Sequence, residues 1–137
     1  MKDVLIVCED IKLNLTYIKT TERELYLPTH ANKLIETWCL NHGRSIIGAK
    51  KSALFWLGNI KNVPLYISNK LCLIMIKTDY DQTKLWLNNC MILKTKRLYD
   101  HLTIVYFNDN SNMIIKVNDR VINKQIQRAN ILLKMID

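Results

Sequence analysis

The chain is organised around the run Cys39-Leu-Asn-His-Gly43-Arg-Ser45-Ile-Ile-Gly48-Ala-Lys50-Lys51-Ser52. This run lies near the front of a 42-residue stretch, Thr37 to Thr78, that contains six bases and no Asp or Glu. Two glycines and a serine stand among the bases, and glycine lets a backbone approach a ligand closely. The composition favours contact with phosphate, so we take this run as the candidate binding surface.

The sequence before the run predicts a first helix, because its apolar residues recur at i, i+3, i+4 and i+7 after Pro28. Thr29 or Asn32 can cap the start of this helix, and Gly43 is expected to end it. The apolar positions are Ala31, Leu34, Ile35 and Trp38.

A second helix is expected to start at Ser45 and to end at Gly58-Asn59. Gly48 is unusual inside it, since a helical glycine costs about 1 kcal/mol against alanine. It either allows another backbone to approach or shows that the helix starts later. The expected buried side holds Ile46, Ala49, Ala53, Leu54 and Leu57, and the solvent side holds Arg44, Lys50 and Lys51.

Short runs rich in branched and aromatic residues predict strands. They span residues 4–8, 13–18, 25–27, 63–67, 71–76, 85–87, 91–93, 102–107 and 113–117. Residues 71–76 are apolar throughout, which favours a central strand. Turn chemistry at 108–112 joins the last two strands as a hairpin.

The last part of the chain predicts an amphipathic helix capped by Asn118. Its apolar positions are Ile122, Ile126, Ala129, Leu133 and Ile136, and Arg120, Lys124, Arg128 and Lys134 lie along its polar side. A solvated face of a terminal helix explains that basic row equally well. The fold class is therefore α+β, a mainly antiparallel β-sheet with two helices in the middle and one amphipathic C-terminal helix.

Length and composition predict one folded domain over 1–137, since 49% of the residues are hydrophobic and 23% are charged. No signal peptide or long apolar run is evident, so we expect a cytoplasmic protein that does not enter a membrane. The four cysteines show neither metal-ligand nor redox spacing. We expect Cys8, Cys39, Cys72 and Cys90 to be buried, reduced thiols, and we expect no metal site and no cofactor.

Charge is unevenly distributed along the chain. Residues 1–36 carry five bases and six acids, whereas residues 37–137 carry fifteen bases and six acids. A basic surface attracts nucleic acid or anionic membrane and gains affinity through counterion release. Lys, Asn and Ile are abundant and all have AT-rich codons, so genome composition is an alternative source of part of the lysine excess.

The sequence shows no catalytic constellation. The three histidines are far apart, and no nucleophile elbow or zinc-protease motif occurs. Gly43 and Gly48 have the glycine spacing of a phosphate loop, but the required Gly-Lys-Ser/Thr ending is replaced by Gly48-Ala-Lys50. Cys39 lies between Trp38 and Leu40, which is typical of a core thiol. We therefore expect no enzyme activity, no catalytic residue and no small-molecule substrate.

Several of these residues, in their order and spacing, resemble the ComK family of competence transcription factors. The resemblance runs through Cys39-x-x-x-Gly43-x-Ser45-x-x-Gly48-x-Lys50, Pro64, Leu65, Ile67, Ile76-x-Thr78, Trp86-Leu87, 106–112 and Gln125-x-x-Arg128-x-x-x-Leu132. It covers nearly the whole chain from about Val4. The chain departs from the family at Asn41-His42, where the family has an aromatic pair, and at Ala49, where it has arginine.

The resemblance implies a transcription regulator that binds AT-rich double-stranded DNA, largely in the minor groove, and activates DNA-uptake genes. Paired DNA boxes would imply a homodimer. The Lys, Arg, Asn and Gln content of the basic part is compatible with minor-groove contact. The residues expected to bind DNA are Gly43, Arg44, Ser45, Gly48, Lys50, Lys51, Lys61, Arg120, Lys124 and Arg128.

Two other classes remain open at this point. A short family member without activating function, or an interaction module, would pair with a full-length relative and bind DNA weakly. A binder of RNA or single strands would need exposed aromatic residues spaced along strands. Tyr66, Tyr80, Tyr99 and Tyr106 do not form that pattern in the sequence.

Overall fold

The computed structural model describes residues 3–81 and 83–136. Over these residues the chain forms three α-helices and nine strands in two antiparallel sheets, which confirms the predicted α+β class. The helices are α1 (Ala31–Asn41), α2 (Ile46–Leu57) and α3 (Asp119–Ile136). The strands are β1 (Val4–Asp10), β2 (Leu15–Thr20), β3 (Glu24–Leu27), β4 (Leu65–Ser68), β5 (Leu71–Lys77), β6 (Lys84–Asn88), β7 (Ile92–Tyr99), β8 (Leu102–Phe107) and β9 (Asn112–Ile115).

The larger sheet has six strands in the order β3-β2-β1-β6-β5-β4. β5 pairs with β6 on one side and with β4 on the other, so the apolar strand at 71–76 lies inside the sheet as expected. β1 and β6 occupy the centre and pair through Ile6, Val7 and Cys8 opposite Leu87, Trp86 and Leu85. Their two faces are both buried, which explains why their sequences are nearly continuous apolar runs.

Helices cover one face of this sheet. Val7, Leu73 and Trp86 point to that face and pack with Ile35 and Trp38 of α1. The opposite face packs against α3 and the smaller sheet, β7-β8-β9. The molecule is therefore layered, with α1 and α2 on one side of the large sheet and the small sheet with α3 on the other. This arrangement separates the outer face of the small sheet from α2.

Strand β7 is longer than predicted. The sequence indicated a strand at 91–93, but residues 89–91 form a 3₁₀ turn and the strand continues to Tyr99. Lys94, Lys96 and Arg97 obscured it, because a strand with one solvent face alternates polar and apolar residues and carries little apolar signal. Lys94 and Lys96 pair with Tyr106 and Ile104 on the outer face.

Helix α3 packs through the predicted stripe, which is wider than expected. Ile122 and Ala129 are fully buried, and Ile126, Leu133 and Ile136 are partly buried and pack against the core. Gln125 and Leu132 are buried as well. Gln125 is polar and was missed for that reason. Asn118 caps the helix as predicted, since its Oδ1 accepts from the Arg120 N–H at 2.9 Å.

The start of α1 corrects another expectation. The N-cap is His30, not Thr29 or Asn32, and no side chain of the cap residue bonds to the helix. The Glu9 carboxylate from β1 instead accepts from the Ala31 N–H at 3.3 Å. A long-range acid thus supplies the negative charge that the positive end of a helix prefers.

All four cysteines are thiols that form no disulfide, but only two are buried as predicted. Cys39 and Cys72 are inside, while Cys8 and Cys90 are partly exposed. Burial raises the pKa of Cys72 to about 12. In the described part of the chain, no helix combines the length and apolar character needed to cross a bilayer.

Candidate nucleic-acid interface

Gly43 closes helix α1 in a left-handed conformation. Its φ is +69°, its N–H donates to the Leu40 carbonyl at 3.0 Å, and the Arg44 N–H donates to the Cys39 carbonyl at 2.8 Å. These two bonds are those of a Schellman motif, which commonly needs glycine at this position. The predicted helix stop is confirmed, and Gly43 has a structural reason to be glycine.

Ser45 and Gly48 form the start of α2. Ser45 is the N-cap, and its Oγ accepts from the Gly48 N–H at 2.9 Å. A Cβ on Gly48 would lie 3.1 Å from that oxygen, which is tighter than usual packing. Gly48 therefore leaves room for the cap. Neither explanation offered from the sequence, a later helix start or the approach of another backbone, describes this geometry.

An acid already occupies this helix start. The Glu36 carboxylate of α1 accepts from the Ile46 N–H through Oε2 at 3.1 Å. Glu36 lies one residue outside the acid-free stretch in sequence, but the turn at Gly43 brings it back onto α2. The Ile46 and Gly48 N–H groups are thus already bonded within the protein, and a nearby carboxylate repels phosphate. Phosphate contact by this backbone is correspondingly disfavoured.

Arg44 does not extend freely into solvent as expected. It is half-buried, and its guanidinium lies 5.0 Å from the ring centroid of Tyr66 on β4. This is cation–π geometry, and it fixes the side chain between α2 and the edge of the large sheet. The charge of Arg44 still contributes to the local potential, but part of the side chain is committed to packing.

Three lysines on this side of the molecule are exposed as predicted. Lys50 and Lys51 lie on successive positions of α2, and Lys61 lies in the segment that follows the helix. Among the described residues, none of the three forms an ion pair with a carboxylate. Their charges are therefore available to a polyanion.

Helices α2 and α3 meet over the edge strand β4. Ala53, Tyr66 and Leu132 form the buried contact between these three elements. The Gln125 side chain donates from Nε2 to the Asn62 carbonyl at 2.8 Å and to the Met75 carbonyl at 3.1 Å. Since Asn62 follows Lys61 in the chain, this bond holds the Lys61 segment against α3.

The basic row of α3 starts at this junction. Arg128 is half-buried and donates from Nη1 to Gln125 Oε1 at 3.3 Å, whereas Lys124 and Arg120 are exposed one and two turns earlier. Seven of the ten predicted contact residues are bases, and they fall into two groups. One group lies in α2 and the segments that flank it, the other lies on α3, and both helices contact β4. We call the residues Arg44, Lys50, Lys51, Lys61, Arg120, Lys124 and Arg128 the β4-edge basic surface.

Sequence reasoning missed a second basic surface. Lys94 and Lys96 project from β7 on the outer face of the small sheet, beside Tyr106, Ile104 and Ile114. Lys94 Nζ lies 5.1 Å from the Tyr106 ring centroid. The sequence pattern that could have revealed this surface is the alternation of bases from Lys94 to Arg97, which is typical of a half-exposed strand. Arg97 points inward and pairs with Asp119 at 3.0 Å, so it contributes little to this surface.

Two of the three histidines contact a carboxylate. His30 Nδ1 lies 3.3 Å from Glu9, and His101 Nδ1 lies 2.8 Å from Asp79. Asp81 accepts hydrogen bonds from Thr78 and Thr83, which lower its pKa. Across the described positions, no three His, Cys, Asp or Glu side chains are arranged to hold a metal ion.

Neither the curated proteins nor the solved structures contain a match to this chain. The family model described as ComK protein matches residues 1–137, which is the whole chain. The chain therefore belongs to the ComK family of competence transcription factors.

Proposed function

We propose that this protein regulates transcription by binding AT-rich double-stranded DNA through the β4-edge basic surface. The observation that carries the proposal is the contact of α2, the Lys61 segment and α3 around β4, because these segments and the turn before α2 carry seven bases. Clusters of lysine and arginine gain affinity for DNA by releasing its condensed counterions. Family membership supplies the class of function.

Lys50 and Lys51 are the central phosphate contacts in this proposal. They are exposed, they lie on one helix, and no described acid neutralises either. The carboxylate of Glu36 at the start of α2 directs the DNA toward the lysine side chains and away from the capped helix end. Lys124 and Arg120 then contact the DNA backbone further along the duplex. From membership in the ComK family we infer that the bound protein activates DNA-uptake genes in the cytoplasm.

A minor-groove mode is part of the proposal. Minor-groove proteins use Arg, Lys, Asn and Gln to sense groove width and the A·T pattern. The β4-edge basic surface offers lysines beside Asn62 and Gln127.

Titrations with AT-rich, GC-rich and single-stranded oligonucleotides at several salt concentrations test the proposal. We expect preference for the AT-rich duplex and a steep loss of affinity with salt. Replacing Lys50 and Lys51 by Ala should reduce the slope of log K against log salt by about 2, since two phosphate contacts are removed. Lys12→Ala with Arg23→Ala removes two exposed charges from the acid-rich N-terminal part and serves as the matched control.

Two outcomes would overturn the proposal. If the Lys50/Lys51 variant binds AT-rich duplex with the affinity and slope of the parent, the contact lies on another surface, and Lys94 and Lys96 are the first to replace. If the parent binds no oligonucleotide but forms a complex with a full-length ComK-family protein, the chain is a pairing module. Light scattering of the free protein and of the complex measures whether a homodimer binds the DNA.

A further inference from the structure

A cleft opens between helix α2 and the face of the large sheet that carries α1 and α2. Its volume is about 350 Å³, which falls within the range of small-molecule sites. Four parts of the chain contribute to its walls: α1, α2, the segment after α2, and strands β4 to β6. The cleft is therefore formed by the tertiary fold and not by one loop.

The rim of the cleft is held in place by the fold. Asn62 lines the cleft with a φ of +53°, a left-handed conformation that asparagine tolerates better than most residues. Its carbonyl accepts from Gln125 of α3 at 2.8 Å, and Gln125 is buried. A pre-formed rim lowers the ordering cost of binding a ligand.

The floor of the cleft is apolar. Leu65 and Leu73 are buried, Met75 is half-buried, and Trp86 exposes 7% of its surface. Leu54 and Ile46 of α2 form the opposite wall. A ligand that fills this space needs an apolar body.

The mouth of the cleft is positive. Lys50 and Lys84 line it from different elements, and none of its lining residues is acidic. Lys77 stands directly opposite Lys84 in the β5–β6 pairing, two residues beyond the Met75–Trp86 pair and therefore on the same face. Like charges directly opposite on paired strands are destabilising, so an anion between them would relieve the repulsion.

One carboxylate on the neighbouring strand faces the same side of the sheet. Glu9 of β1 follows Cys8, which pairs with Leu85. Its Oε1 already contacts the Ala31 N–H and His30 Nδ1, each at 3.3 Å. Glu9 therefore serves the start of α1, and Glu36, which accepts from the N–H of the lining residue Ile46, serves the start of α2.

We propose that this cleft binds a small amphipathic monoanion, an organic carboxylate with an apolar body. The carboxylate lies between Lys50 and Lys84, and the apolar body packs on Leu73, Met75 and Trp86. The two asparagines in the walls, Asn32 and Asn62, offer amide donors to the same carboxylate. This site is separate from the phosphate contacts except for Lys50.

The shared lysine gives the site a regulatory consequence, which rests on the proposed function. A carboxylate bound to Lys50 neutralises one charge of the β4-edge basic surface. Ligand and duplex then oppose each other, and by linkage each weakens the other by the same factor.

The binding test needs no DNA. Octanoate is titrated into the ¹⁵N-labelled protein, and the indole N–H signals of Trp86, Trp38 and Trp56 are followed, with assignment by Trp86→Phe. Octanol and octylamine are the neutral and cationic probes of the same length. Lys50→Ala and Lys84→Ala test the anion contact, and Lys70→Ala, an exposed lysine outside the lining, is the matched control.

We expect saturable shifts of Trp86 with octanoate, weaker binding of octanol and weakest binding of octylamine. Lys50→Ala and Lys84→Ala should each weaken octanoate roughly two- to fivefold, the range for partly exposed ion pairs, and Lys70→Ala should not. Equal shifts with octanoate and octylamine, equal binding by all variants, or no shift of Trp86 would each overturn the proposal.

A second titration separates this site from the DNA proposal. Octanoate should release AT-rich duplex from the parent protein but less effectively from Lys84→Ala, because Lys84 lies outside the β4-edge basic surface. If the parent binds no duplex, the proposed function is wrong, but the Trp86 titration still shows whether the cleft binds the carboxylate. If duplex binds and octanoate shifts Trp86 without releasing duplex, the regulatory consequence is wrong.

Discussion

Replacing Leu132 by Ala should destabilise the protein far more than the same change at Leu133. Leu132 exposes 0% of its surface and joins α3 to Ala53 and Tyr66, whereas Leu133 is partly exposed at the border of two clusters. Truncating a buried leucine costs about 2–5 kcal/mol through lost transfer energy and the cavity left behind. The partly exposed Leu133 should lose only about 1–2 kcal/mol, in proportion to the area removed from water.

The two variants are matched, because they are neighbours on one helix and change helix propensity equally. Urea unfolding followed by circular dichroism gives the free energy of unfolding, and the slope with urea should stay constant. A loss of about 3 kcal/mol for Leu132→Ala corresponds to a fall in Tm of about 10 °C for a domain of this size. If Leu133→Ala costs as much as Leu132→Ala, α3 is rotated from the position described and the β4 junction is wrong.

Four further outcomes are expected. Gly43→Ala should destabilise by about 1 kcal/mol in thermal unfolding, because alanine is strained at a φ of +69°; an unchanged Tm would contradict the Schellman turn. Lys77→Glu should stabilise by about 0.2–1 kcal/mol, since it converts the like-charged Lys77–Lys84 pair into an opposite one; no gain in urea unfolding would argue against this register. Burial raises the pKa of the Cys72 thiol from 9.0 to about 12, so the unfolded chain ionises first and the Cys72 contribution to stability should be lost as pH rises from about 9 to 12; native Cys72 should resist thiol reagents at pH 8 while all four thiols react after denaturation. Glu36→Gln should keep an acceptor for the Ile46 N–H and tighten duplex binding at low salt, and unchanged affinity would place the DNA away from the start of α2.

Local signals in the sequence gave most of the helices and strands. The stop at Gly43, the helix start at Ser45, the break at Gly58 and the cap at Asn118 each depend on residues within four positions, and the structure confirms all four. The strand 102–107 was also correct to the residue. Short-range chemistry of this kind needs no knowledge of the tertiary fold.

Three positions that the sequence predicted wrongly are explained by contacts with residues that are distant in the sequence. Glu9 supports the start of α1 from another strand, so no local cap was needed and the predicted one is absent. Gln125 is buried because Asn62 and Met75, more than 49 positions earlier, offer their carbonyls to its amide. Arg44 is held by Tyr66 across the sheet edge. In each case the partner is distant in sequence, and a periodic pattern cannot identify it.

The glycine-serine motif illustrates how one pattern supports two interpretations. In sequence, Gly43, Ser45 and Gly48 beside bases indicated a loop that closes on phosphate. In the structure, Gly43 supplies a left-handed turn, Ser45 caps α2, and Gly48 leaves room for that cap. All three residues therefore have a task in folding. Lys50 is the remaining member of the motif, and within the described chain it forms no ion pair. Its charge is not used in an ion pair within the fold, which is compatible with the proposed contact to phosphate.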